Sequence, residues 1–161
     1  MTLHRSHPLA LSIAALLLAR SAEAGGGTVV SVSATVLSKS NCKFTSSSAS
    51  IPLGSVDAAM SADRVVSATI GYRCNGSAPV AAFSFSTDDG LHESGPGLPR
   101  MRHATVLTEF LPYSFGLSPA SGTINKGVVA TLTLTATVTP ANVANAIAGA
   151  FSDTVTVTLV P

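Results

Sequence analysis

Period-two alternation of small apolar residues with threonine constrains this chain more than any other feature. In residues 152–161, SDTVTVTLVP, Thr154, Thr156 and Thr158 alternate with Val155, Val157 and Leu159. Successive side chains of a strand point to opposite faces, so one side of this run belongs to a core and the other to water. The pattern recurs in residues 28–37 (TVVSVSATVL), where Val30, Val32, Ala34 and Val36 share a face. It recurs again in residues 128–138 (VVATLTLTATV), with Ala130, Leu132, Leu134, Ala136 and Val138 on one face and Val129, Thr131, Thr133 and Thr135 on the other.

Residues 65–74 (VVSATIGYRC) and 80–87 (VAAFSFST) are further predicted strands, separated by a turn at Asn75-Gly76-Ser77. The serine-rich segment 45–50 reads as an exposed loop or weak edge strand, and the Gly/Pro-rich segment 88–99 as a loop. A strand near Pro112 is expected within 106–115, at an edge or a bend because proline cannot donate to a ladder. Residues 118–127 (SPASGTINKG) read as turns, and 140–149 as a connection in which a loop is favoured over a short helical turn. Outside residues 9–18 no segment carries a sustained 3.6-residue apolar repeat. Short strands between turn signals predict an all-β antiparallel sandwich, and the absence of tryptophan argues against an antibody-type core.

The first 24 residues have the form of a cleaved signal peptide: a basic start at His4, Arg5 and His7, an apolar stretch from Leu9 to Leu18, and Ala22-Glu23-Ala24 before the cut. The apolar stretch is too short to span a bilayer, which disfavours a membrane anchor. Export to the periplasm and onward to the cell surface is the expected route. Removing the leader takes two of nine basic and one of eight acidic residues, leaving seven of each. Near-zero charge without a basic cluster gives no reason to expect nucleic acid or an anionic membrane surface as partner. The two cysteines, Cys42 and Cys74, both fall in the exported part and read as a disulfide. Closing a loop of about 32 residues stabilises a fold by roughly 3–4 kcal/mol in the chain-entropy picture.

Catalytic signals are absent. The exported part carries only His92 and His103, neither in a recognisable motif, and there is no G-x-S-x-G elbow. Asp88-Asp89 with His92-Glu93 could be weighed as a cation site but has no repeating ligand spacing, and Arg100 with Arg102 as an anion site, for which two arginines are too few. Asn75-Gly76-Ser77 matches a glycosylation sequon and reads better as a turn. The expectation is a protein with no enzymatic activity, no cofactor, no metal and no small-molecule substrate.

Cys42, the second cysteine in GYRCNGSAP, the segment RMRHATVLTEFLPYSF and the ending AGAFSDTVTVTLVP together resemble the spore coat protein U domain family, which includes the subunits of archaic chaperone-usher pili. The likeness runs from about Thr28 to Val160 and is most specific over residues 149–159. It implies an immunoglobulin-like sandwich lacking its last strand and completed by donor-strand exchange. On that expectation residues 25–37 are an N-terminal donor extension and 38–161 the pilin-like domain. Val30, Val32, Ala34 and Val36 fill the groove of a neighbouring subunit, and Val155, Val157 and Leu159 border the acceptor groove. Burying three valines at roughly 1.5–3 kcal/mol each, with ladder bonds of about 0.5–1.5 apiece, gives on the order of 10 kcal/mol before ordering costs. The implied partners are identical or related pilin subunits, a periplasmic chaperone and an outer-membrane usher. Two rivals remain: a spore-coat or outer-surface protein of the same fold, and a tip adhesin or binding module. From the residues alone, 28–37 could equally be an ordinary first strand of its own sandwich.

Overall fold

The computed structural model describes residues 40–161. The expected leader, and the expected donor extension with Val30, Val32, Ala34 and Val36, lie outside the described residues.

The longest alternating runs form the centre of the larger sheet. Strand β2 (Arg64–Asn75) pairs antiparallel with β8 (Val129–Val138) over ten positions, from Arg64 opposite Val138 to Arg73 opposite Val129. Strand β1 (Asn41–Phe44) flanks β2, and β6 (Ser114–Ser118) flanks β8, giving the order β1-β2-β8-β6. Ile70 and Tyr72 of β2 and Leu132 and Leu134 of β8 turn inward, while Ser67 and Thr135 meet hydroxyl to hydroxyl at 2.8 Å on the outer face. Period-two patterning is thus realised as a dry face and a wet one.

The facing layer is built from shorter pieces. Strand β3 (Val80–Thr87) lies between β7 (Ser121–Asn125) and β10 (Val157–Val160). Strand β4 (Arg100–His103) lies between β5 (Phe110–Pro112) and β9 (Phe151–Ser152). Every pair among the described residues is antiparallel. The result is an antiparallel β-sandwich, as the alternation predicts.

Two apolar clusters fill the interior. One joins Tyr72, Phe83 and Phe85, whose rings meet at 4.9–5.4 Å, with Ile70, Ile124, Leu132 and Leu134. The other joins Met101, Leu111, Tyr113, Ala136, Val138 and Val143. Ile51 and Phe115 pack against both. The disulfide ties Cys42 of β1 to Cys74 of β2, residues directly opposite in the ladder, and so anchors β1 to the sheet.

Two local expectations need correction and one strand was not foreseen. Residues 121–125 form β7 rather than part of a turn; only Ile124 of the five is buried, and Gly122 lets the Phe83 ring approach, so the strand carries almost no alternation. Residues 100–103 form β4, unpredicted because two arginines dominate a four-residue strand whose inward residues are Met101 and His103. Residues Pro140–Ala144 form a helix, α1, with Thr139 as its N-cap accepting from the Asn142 amide, proline in the first turn and Val143 buried. The cap and the burial of Val143 outweigh the nearby breakers. Pro112 meets both expectations for it: it ends an edge strand, and the chain crosses there to the other sheet at β6.

Candidate functional site

The last ten residues before Pro161 run along three neighbours in turn. The Ala150 carbonyl accepts from Ala104 N at 2.8 Å, and Ser152 pairs with Arg102 of β4. The Thr154 carbonyl accepts from Leu91 N at 3.2 Å. Thr156 accepts from Asp88 N at 3.2 Å and donates its amide to Asp88 Oδ1 at 2.7 Å. Thr158 and Val160 then stand opposite Ser86 and Ser84 of β3. Even-numbered residues therefore face the bonded side. Backbone groups alternate sides along an extended strand, so the N–H and C=O groups of Asp153, Val155 and Val157 point the other way. Among the described residues no strand lies there, since β10 has β3 as its single neighbour.

The same odd-numbered residues turn their side chains inward. Phe151, Asp153, Val155, Val157 and Leu159 are all half-buried and none is fully buried. Beside them opens a groove of about 1060 Å³, bounded on one side by residues 151–157 and on the other by residues 44–54. Its floor is Ile70, Leu134 and Ala136 of the larger sheet together with Met101, Tyr113 and Phe115. At one end the sandwich closes: Phe44 of β1 stacks on Phe85 at 5.9 Å, and Phe85 stands opposite Leu159. Val155 and Val157 accordingly line the groove; Val157 and Leu159 both pack against the first core cluster, and Leu159 is not part of the lining.

The far wall follows from composition. Ser46, Ser47, Ser48, Ala49 and Ser50 are exposed, and beyond Phe44 only Ile51 and Leu53 of this wall reach the interior. Arg64 Nε holds the Leu53 carbonyl at 2.8 Å, and Thr45 donates its amide to the Gly71 carbonyl at 2.8 Å. The wall is thus pinned at both ends while its middle lacks regular structure, as the serine-rich sequence predicts.

One polar group enters this apolar channel. Asp153 accepts from the Tyr113 hydroxyl at 2.8 Å and from Leu91 N at 3.1 Å. Gly90, at φ +86°, lies against the carboxylate so closely that a Cβ could not be added. Burial, reinforced by the bond to Asp153, holds the Tyr113 phenol well above its usual range. Hydrogen bonds from Thr156 keep Asp88 below the ordinary carboxylate range. The parity of SDTVTVTLVP was the available signal for Asp153 and, by extension, Phe151, because both share the odd register of Val155. Tyr113 and the floor residues carried no such signal.

The other polar candidates are absorbed into the framework. Asp88 caps Gly90 N and Thr156 N, and Asp89 accepts from Gly97 N at 2.8 Å. Among the described residues no three His, Cys, Asp or Glu side chains converge as a metal site would require. Arg100 lies over the Phe110 ring at 4.1 Å and donates to the carbonyls of His92 and Glu93, which leaves it committed rather than waiting for an anion. His103 is buried, with Nδ1 accepting from the amides of Thr105 and Val106 and Nε2 donating to the Ala148 carbonyl at 3.2 Å. Its ring covers Gly149 at φ +151°, where a Cβ would collide with Nε2, so this histidine fixes the entry of the final run into the sheet.

No family model and no curated protein matches the sequence. Among solved structures, a chain from a chaperone–tip adhesin complex described as vital for synergistic activation of CFA/I fimbriae biogenesis is similar over 78% of this chain, at 12% identity and a TM-score of 0.46. The match spans 42% of that chain's length.

Proposed function

We propose that this protein is a structural subunit of a secreted surface fibre, one that polymerises when the leading segment of one copy enters the groove of the next. The observation that carries the reading is the open edge. One run of odd-numbered residues presents both unpaired peptide groups and half-buried apolar side chains to a groove of about 1060 Å³. An edge of that composition invites strand addition, which satisfies its backbone and covers its side chains together. Residues 28–37 have the matching alternation. Head-to-tail insertion does not close on itself, so the product is an open polymer. Membership of the spore coat protein U domain family, a chaperone that lends a strand before assembly, an usher at the outer membrane and a surface location belong to the same proposal. The protein acts by association and not by catalysis.

Deleting residues 25–37 tests this reading. The truncated protein should fail to polymerise and melt low, and a peptide of residues 28–37 should raise its melting temperature. The same peptide with Val32→Asp should not. Normal polymers from full-length protein carrying Val32→Asp would show that this face does not insert.

A further inference from the structure

The groove also carries information about register. We infer that Asp153 sets the alignment of the incoming segment, with Ala34 of one copy seated opposite Asp153 of the next. This inference rests on the strand-insertion reading and specifies it.

Four inward positions of the final run line the groove: Phe151, Asp153, Val155 and Val157. Asp153 is the single charged side chain among the lining residues. The segment 28–37 offers four positions on its apolar face, Val30, Val32, Ala34 and Val36, of which one is small. Every strand pair in the described domain is antiparallel. In that direction, full overlap of the two sets places Val36 opposite Phe151, Ala34 opposite Asp153, Val32 opposite Val155 and Val30 opposite Val157. The small residue then meets the charged one.

Neighbouring registers are worse for identifiable reasons. A one-residue slip turns the entire apolar face of the segment outward. A two-residue slip keeps the face but presses Val32 or Val36 against the carboxylate. Two of the acceptor sites on Asp153 are taken, by the Tyr113 hydroxyl and Leu91 N. The remaining lone pairs need water or another donor, and a valine placed there excludes water without replacing it. Alanine leaves room. Asp153 therefore acts as a specificity-determining group for a second copy of this chain, penalising slipped insertion rather than strengthening the correct one.

The test is a charge scan of the inserting face in the full-length exported chain, read as the fraction assembled by sedimentation. Lysine is introduced singly as Val32→Lys, Ala34→Lys and Val36→Lys, and glutamate as Ala34→Glu; the sandwich itself stays unaltered, so its folding is not at issue. Ala34→Lys should assemble close to the unmodified level because the ammonium meets Asp153, while Ala34→Glu, Val32→Lys and Val36→Lys should each lose about tenfold or more. A further pairing of Ala34→Lys with Asp153→Asn, the one change made in the sandwich, should remove that tolerance, while Asp153→Asn with Ala34 intact should still assemble and so shows that the altered sandwich folds. Should lysine be accepted at 32 or 36 instead, or should Ala34→Lys fail like its neighbours, or should it assemble equally with Asp153→Asn, the register is wrong while insertion stands. Unchanged assembly for all four single substitutions would overturn insertion itself.

Discussion

Strand β8 and the final run 151–160 are written in nearly the same alphabet, yet their fates differ. VATLTLTATV in β8 lies between β2 and β6, and its inward Leu132 and Val138 are wholly buried. In the final run the inward Val155, Val157 and Leu159 stay half-buried, and among the described residues the run is bonded on one side alone. Alternation states which face of a strand is apolar; it does not state how many neighbours the strand has. Among the described residues the two regions differ by one neighbouring strand, and that difference is where the proposed function resides.

The largest effect that could break this comparison is a cavity. Leu132→Ala in β8 should cost about 2–5 kcal/mol in denaturant unfolding of the monomer, whereas Val157→Ala in the open edge should cost clearly less. In the assembled fibre the gap should narrow, because insertion buries Val157. Equal losses in the monomer would mean that the two strands are equally enclosed.

Next comes the disulfide, which anchors the edge strand β1 on the other side of the groove. Replacing Cys42 and Cys74 together should lower stability by about 2–4 kcal/mol and weaken capture of the peptide, since β1 carries the start of the far wall. A loss of stability with unchanged peptide capture would separate the wall from the groove.

The smallest effects are those of pH. The folded Tyr113 phenol is held above its unfolded value, so its contribution is fully present below about pH 10 and falls as pH rises beyond it. Tyr113→Phe should flatten this alkaline loss in melting temperature, leaving the share due to buried Tyr72, which is displaced in the same direction. Asp88 is displaced downward, so its support for Thr156 is present above about pH 4 and is lost as pH falls through the lower folded value. Asp88→Asn should reduce the acid slope slightly; an unchanged slope would show that the Asp88 bonds do not hold the final run in place.

How far the fold could be read from sequence depended on burial. β2, β3 and β8 were legible because each alternates over eight or more residues and buries one full face. β4 and β7 were not, since they are four and five residues long and owe their place to neighbours rather than to their own pattern. The candidate site was half legible. Val155 and Val157 followed from parity, and the serine-rich wall from composition. Leu159 lies outside the lining of the groove because the approach of Phe44 to Phe85 closes the sandwich near it, a contact between residues 41 positions apart that no local pattern encodes. Tyr113 was hidden for the same reason, its bond to Asp153 bridging 40 positions.

Amide hydrogen exchange at Val155 and Val157, measured in the monomer and again in the fibre, addresses the open edge most directly. Fast exchange at both is expected in the monomer, with slow exchange at Thr156 and Leu132, and protection of Val155 and Val157 on assembly. Monomer amides at Val155 and Val157 as protected as that of Leu132, and unchanged in the fibre, would contradict it.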